Sequence, residues 1–295
     1  MKKIRTILAS AALTLGLAFG AQAQILYKVE KDGSDKVSYL LGTHHFAPLS
    51  VVDSIEQLPA ILAGVDRLYG EIDMSQMTDP VAMASMQQSL VAPADSTLDK
   101  ILTAPQLDSL RTVWNEYSGG MMPVEGFYPF KPSVIAAQLA VMMSQKVLPQ
   151  LNPLEGIDMT MQNRARELGK PVGGLESMAF QMDMLYNRPI SEQAEGLMKT
   201  ISDAEGEEKR AIELSKAYLA HDIDRILDMM LVMENDDAQA AEKMIYSRND
   251  RWVAQLAEEM PEQSIMVVVG AGHLPGERGV IAGLRKAGFK VTAVR

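Results

Sequence analysis

"MVVVGAGHLPG", residues 266–276, is the stretch on which the fold turns. An apolar, β-branched run from Met266 to Val269 reads as a buried strand that breaks at Gly270 and then presents His273. Glycines 270, 272 and 276 are spaced G-x-G-x-x-x-G, which is not the dinucleotide fingerprint G-x-G-x-x-G. Nineteen residues follow Gly276, too few for the rest of a βαβ nucleotide unit with its ribose-binding acid. A phosphate-cradling loop is excluded, and His273 becomes the residue to explain.

Working outward, the same grammar occurs near the other end of the chain. "YLLGTHH", residues 39–45, is a β-rich run followed by Gly42-x-x-His45, matching Gly270-x-x-His273 across 228 residues. Two more strand-like runs end in acids: "YGEID" delivers Glu71 and "VGGLE" delivers Glu176. Loops at the carboxyl ends of strands in open α/β sheets converge over a crevice, so these four side chains are brought to one edge. Two imidazoles and two carboxylates are a donor set that borderline divalent metals accept. Each residue also has a plain structural reading: a hydrogen-bonded strand-end histidine, a surface acid, a glycine that merely closes a loop. His44, beside His45 in an extended segment, points the opposite way and reads as a flanking residue. His221, within "YLAHDID", reads as a solvated helical position.

The first 23 residues carry the marks of a secretory signal peptide. Lys2, Lys3 and Arg5 precede an apolar stretch from Ile7 to Phe19, and Ala21-Gln22-Ala23 forms an A-x-A cleavage site. No cysteine follows, so a lipid anchor through cysteine, disulfides and thiolate chemistry are all excluded. The expectation is a periplasmic or secreted protein, residues 24–295, with no stable membrane insertion after cleavage. Removing the three leader cations leaves 25 basic against 38 acidic residues, a formal charge of −13. An acidic surface repels phosphate backbones, so nucleic acid is not an expected partner.

Patterning predicts one α/β domain whose central β-sheet is built from both chain ends, with long helical segments between. Two strands flank an Asp32-Gly33 turn, and helical periodicity runs from about Thr78 to Gln150 and again over 177–260. A helix before Gly169 leads to the strand ending at Glu176. The chain closes with a strand over Ile265–Val269, a helix over Glu277–Ala287 and a strand over Lys290–Val294. The 21 methionines fall at helical spacing among Leu and Ala, which reads as core packing rather than a copper site. There is no H-E-x-x-H, G-x-S-x-G, S-x-x-K or Walker loop. Arg248-Asn249, in "IYSRNDRW", reads equally as a carboxylate clamp or as an exposed helix face.

Together, "YLLGTHH", "LYGEID", "GIDMTMQNRARELGKPVGGLES", "SRNDRWV" and "VVVGAGHLPGERGVIAGLRKAGFKV" resemble the TraB/GumN family, which includes the Tiki proteins. The resemblance implies an α/β fold related to erythromycin-esterase and ChaN-like proteins. Its Tiki members are metal-dependent proteases that use manganese or cobalt. Carried over by position, the family's Gly-x-x-His elements fall on Gly42/His45 and Gly270/His273. Its acids fall on Glu71 and Glu176, with Gln181 following the second acid and the Arg-Asn pair on Arg248 and Asn249.

The resulting expectation is an exported metal-dependent peptidase acting on a peptide or protein. His45 and His273 with Glu71 or Glu176 hold a divalent ion, manganese or cobalt by resemblance, with zinc and iron compatible with the same donors. The other glutamate takes a proton from the attacking water, and Arg248 stabilises the oxyanion or grips a carboxylate. Gly42, Gly270, Gly272, Gln181 and Asn249 line the substrate side. The sequence leaves open which glutamate is ligand and which is base. It leaves open two other uses of the crevice: a peptide- or signal-sequestering protein without turnover, and capture of haem or iron.

Overall fold

The computed structural model describes residues 24–149, 156–233 and 238–294. The signal peptide expected over residues 1–23 lies outside the described residues. Six strands form one mixed sheet: β1 (Leu26–Lys31), β2 (Val37–Thr43), β3 (Arg67–Gly70), β4 (Val172–Gly174), β5 (Ile265–Gly270) and β6 (Phe289–Ala293). The order across the sheet is β4-β3-β5-β2-β1-β6. β5 pairs parallel with both β2 and β3, and β3 pairs parallel with β4. β1 pairs antiparallel with both β2 and β6, so five strands run one way and β1 alone runs back. The expected α/β architecture is present, with the middle of the chain adding β3 and the short edge strand β4.

β5 sits at the centre because its sequence suits only that place. Ile265 to Val269 are each 0% exposed, as a parallel strand covered on both faces requires. Burying such a side chain contributes roughly 1.5–3 kcal/mol. Helices Ile157–Glu167 and Ser247–Glu259 pack against this sheet core through Ile157, Met161, Trp252 and Leu256. A second core is purely helical and gathers Leu98, Leu110, Trp114, Ile135, Leu139, Met142, Met143 and Leu197. The paired methionines of helix Pro132–Val147 are therefore packing residues.

Two local readings change. The final helix spans Val280–Lys286 and not Glu277–Ala287, because Gly276 (φ +83°) and a Gly279-to-Gly276 turn bond delay its start. His221 is not within a helix: it adopts φ +57° just past helix Ala204–Leu219, the left-handed position that terminates helices. Among the described residues, no helix is long and apolar enough to cross a membrane.

Candidate metal and carboxylate centre

Four adjacent parallel strands, β4, β3, β5 and β2, end in Glu176, Glu71, His273 and His45 in that spatial order. Register sets the heights. Thr43 is opposite Gly270, and Gly70 is opposite both Val268 and Gly174. Strand pairing continues past β3 and β4, with Leu175 N donating to Gly70 O and Glu176 N donating to Glu71 O, each at 2.9 Å. The two glutamates thus leave the sheet side by side. Ser177 then caps helix Met178–Tyr186 by accepting from Phe180 N, and that helix carries Gln181 back over both acids.

The cation between these acids is Arg248, 4% exposed, from helix Ser247–Glu259. It forks Glu176, with Nε to Oε2 at 3.0 Å and a terminal nitrogen to Oε1 at 2.6 Å. The same terminal nitrogen donates to Glu71 Oε2 at 2.5 Å. Its other terminal nitrogen donates to Met244 O at 2.9 Å, a carbonyl in the π-helical turn Glu242–Tyr246. Such turns interrupt the regular ladder and recur at functional sites. Gln181 Nε2 donates to both glutamates, at 3.2 and 3.1 Å. The guanidinium stacks on Trp252 at 4.7 Å, and Trp252 also packs against the His273 ring at 4.6 Å.

His273 is held in one tautomer by its partners. Arg248 can only donate, so the 3.1 Å contact to His273 Nε2 makes that nitrogen an acceptor. Nδ1 therefore carries the proton and donates to Asn249 Oδ1 at 2.7 Å. Asn249 is itself fixed, because its Nδ2 donates to the carbonyls of His273 and Arg278 at 3.2 and 2.9 Å. Burial, with Arg248 adding to it, pushes the His273 pKa down to about 4, so the ring is neutral at pH 7. Burial alone would raise Glu71. Protonated His273, Arg248, the Gly270 N–H at 2.9 Å and His45 outweigh it and hold Glu71 at about 2.

The remaining expected residues divide. Gly270 touches the centre, since its N–H serves Glu71 and a Cβ there would stand 3.2 Å from Glu71 Oε1. Gly42 and Gly272, expected to make room for a ligand, make room for protein instead. A Cβ on Gly42 would meet Ala271 and Leu274 at 3.0 Å, and one on Gly272 would meet Met230 Sδ at 2.2 Å. His45 stands at the rim with its side chain 76% exposed, 3.6 Å from Asp158. Asp158 raises the His45 pKa, with that exposure limiting the effect. His44 turns the other way, as expected, and packs against Phe46 and Tyr218. Sequence reading missed Asp158 and Trp252. The signal for the first was an acid at the opening of the helix after Gly156. For the second it was an aromatic four residues beyond Arg248.

His273 Nε2 and Glu71 Oε1 are 3.8 Å apart. Two donors at that spacing fit one ion at the roughly 2.0–2.2 Å that imidazole and carboxylate ligands keep from such metals. Among the described residues, no group of three or more His, Asp or Glu is gathered closely enough to hold an ion in this conformation. The spacing of the pair is compatible with two ligands of one ion, and the exposed His45 ring follows the neighbouring strand β2.

The TraB/PrgY/gumN family model matches residues 25–293. The chain belongs to that family. Its curated relatives include human Metalloprotease TIKI1, 23% identical over 87% of this chain, and zebrafish (Danio rerio) Metalloprotease TIKI2, 22% identical over 90%. The chain spans about 60% of the length of these relatives. No solved structure matches it.

Proposed function

We propose that this TraB-family chain is an exported, divalent-metal-dependent peptidase whose centre is the Glu71–His273 pair. The observation that carries the reading is the His273 ring: neutral, locked by Asn249, with Nε2 accepting from Arg248 and lying 3.8 Å from Glu71 Oε1. Histidines that ligate metals donate their other ring N–H to an outer partner in this way, which fixes both tautomer and orientation. The names of the relatives support the same reading.

Glu71, His273 and His45 would hold the ion, which when bound would acidify a water and polarise a peptide carbonyl. Manganese and cobalt are the first ions to test. Glu176 is engaged by Arg248 and Gln181 much as Glu71 is, but its strand lies one place further from β5, so Glu71 is the acid that neighbours His273. The role of Glu176 is to hold Arg248. That guanidinium lies 3.1 Å from His273 Nε2, a fixed positive charge beside the place where a carbonyl oxygen would gain negative charge. Glu71, anionic throughout the neutral range, keeps the same edge negative.

A second reading rests on the saturation of both carboxylates by Arg248 and Gln181: a protein that sequesters peptides in this crevice without turnover. The experiment that separates the two uses residues 24–295, elemental analysis after incubation with manganese or cobalt, and hydrolysis of a quenched peptide library. About one ion per chain and hydrolysis, both lost in His273→Ala and Glu71→Gln, support the peptidase. Peptide binding that persists without metal, and unchanged in Glu71→Gln, supports sequestration instead.

A further inference from the structure

Helix Ile157–Glu167 carries Asp158 in its first turn and Gln162 one turn later. Residues four apart share one helix face. Gln162 is buried and grips the chain just beyond Glu71. Its Nε2 donates to Ile72 O, and its Oε1 accepts from Met74 N, both at 2.9 Å. Asp158 reaches the histidine loop after β2. Its Oδ1 accepts from Thr43 Oγ1 at 2.9 Å. Its Oδ2 is buried without a hydrogen-bond partner and lies 3.6 Å from His45 Nδ1.

A buried carboxylate oxygen without a donor is costly and uncommon in folded proteins. Here a donor stands one small side-chain rotation away. The His45 ring is mostly in water and can turn, whereas Asp158 is fixed by Thr43 and by its helix. The other half of the loop is equally fixed. His44 is wedged between the rings of Phe46 and Tyr218, at 5.9 and 5.7 Å, and Tyr218 donates to Gly42 O at 3.0 Å. The consecutive histidines thus differ in kind, one an anchor and the other an exposed ring beside an unpaired acceptor.

We propose that Asp158 is the positioning residue of His45. It accepts the Nδ1–H, fixes the ring in that tautomer and leaves Nε2 bare for the centre at Glu71 and His273. Asn249 likewise accepts the Nδ1–H of His273, so each Gly-x-x-His histidine has its own outer acceptor: an amide oxygen for one and a carboxylate for the other. The proposal rests on His45 being a ligand of the centre, but the tautomer it assigns can be read without any metal.

The test is long-range ¹H–¹⁵N correlation of the imidazoles in ¹⁵N-labelled protein at alkaline pH, where the rings are neutral, with His45→Ala supplying the assignment. Wild type is expected to show His45 protonated at Nδ1. In Asp158→Ala that preference gives way to a mixture with the Nε2–H form. Asp158→Asn, which keeps the packing, covers the case in which the alanine variant does not fold. Its weaker neutral acceptor is expected to give an intermediate spectrum. Titration with Co²⁺ is the second readout, with affinity expected to fall about 10- to 100-fold in Asp158→Ala at unchanged circular dichroism. An Nε2–H tautomer in wild type, or one insensitive to both substitutions, overturns the proposal. Wild type that binds no Co²⁺ but shows the tautomer shift overturns the metallopeptidase reading alone. Co²⁺ affinity lost in His45→Ala but kept in Asp158→Ala overturns the positioning role alone.

Discussion

Replacing Arg248 with methionine should destabilise the fold far more than an ordinary substitution. Methionine keeps much of the length and the apolar contact with Trp252 but removes the charge. Five polar contacts go with it: two to Glu176, one to Glu71, one to Met244 O and one to His273. Two buried carboxylates, Glu176 at 4% and Glu71 at 15% side-chain exposure, then share a pocket with no cation between them. Breaking a buried pair from one side costs about 3–5 kcal/mol, because the charge left behind has lost both water and partner. The Glu71 pKa points the same way: Arg248, after His273, is among the groups that hold it at about 2 against an ordinary value of 4.5. For a domain of this size the melting temperature should fall by on the order of 10 °C.

The pH dependence makes this prediction specific. A carboxylate whose folded pKa is depressed contributes stability that is present above its unfolded pKa and lost as pH falls toward the folded value. For wild-type Glu71 that window runs from about 4.5 down to about 2. In Arg248→Met one of the groups that depress the Glu71 pKa is removed, so the gap between variant and wild type is widest near neutrality and narrows as pH falls through that window. Urea unfolding at fixed m-value, repeated from pH 7 to pH 3, measures it. Adding Glu176→Gln to Arg248→Met should restore about 1–2 kcal/mol, since one orphaned charge is removed. A cost below about 1 kcal/mol at pH 7, or one that does not change with pH, refutes the account of Arg248 as the counter-charge of both acids.

Burial, with His45 adding to it, pushes His44 down to about 4 from 6.5. Its neutral form therefore supports folding above pH 6.5, and on the order of 3 kcal/mol is lost as pH falls to about 4. His44→Leu should flatten that part of the wild-type stability profile in urea titrations, and an unchanged slope contradicts it. Asn249→Ala frees His273 Nδ1 and leaves the buried His273 carbonyl short of a donor. About 1–3 kcal/mol of stability should go, with a mixture of His273 tautomers visible by NMR. Gly272→Ala places a Cβ 2.2 Å from Met230 Sδ, so it should lower the melting temperature, and Met230→Ala in the same chain should recover most of the loss.

The architecture was largely legible because it is written in periodicity. Short apolar runs read as strands, most plainly Ile265–Val269, and each was followed through glycine by a residue with chemistry. That pattern placed Glu71, Glu176 and His273 at one sheet edge without any knowledge of strand order. Boundaries slipped where left-handed backbone intervened. Gly276 delayed the last helix, and His221 took a conformation that nothing in a run of helix-forming residues announces.

The interior of the site was less legible, because its logic is pairwise and pairs do not follow spacing. Four donors leaving four strands look interchangeable in sequence, but strand order makes them unequal. β3 and β5 are neighbours, so Glu71 and His273 meet at 3.8 Å. β4 lies one strand further out, and Glu176 is left to Arg248. The sequence offered Arg248 as a carboxylate clamp or an exposed face; it is 4% exposed and clamps carboxylates, but those of two acids of the chain itself. Burying that guanidinium requires both acids, and keeping both acids ionised requires the guanidinium. The glutamates and the arginine are therefore one unit, and His273 joins it through the same guanidinium.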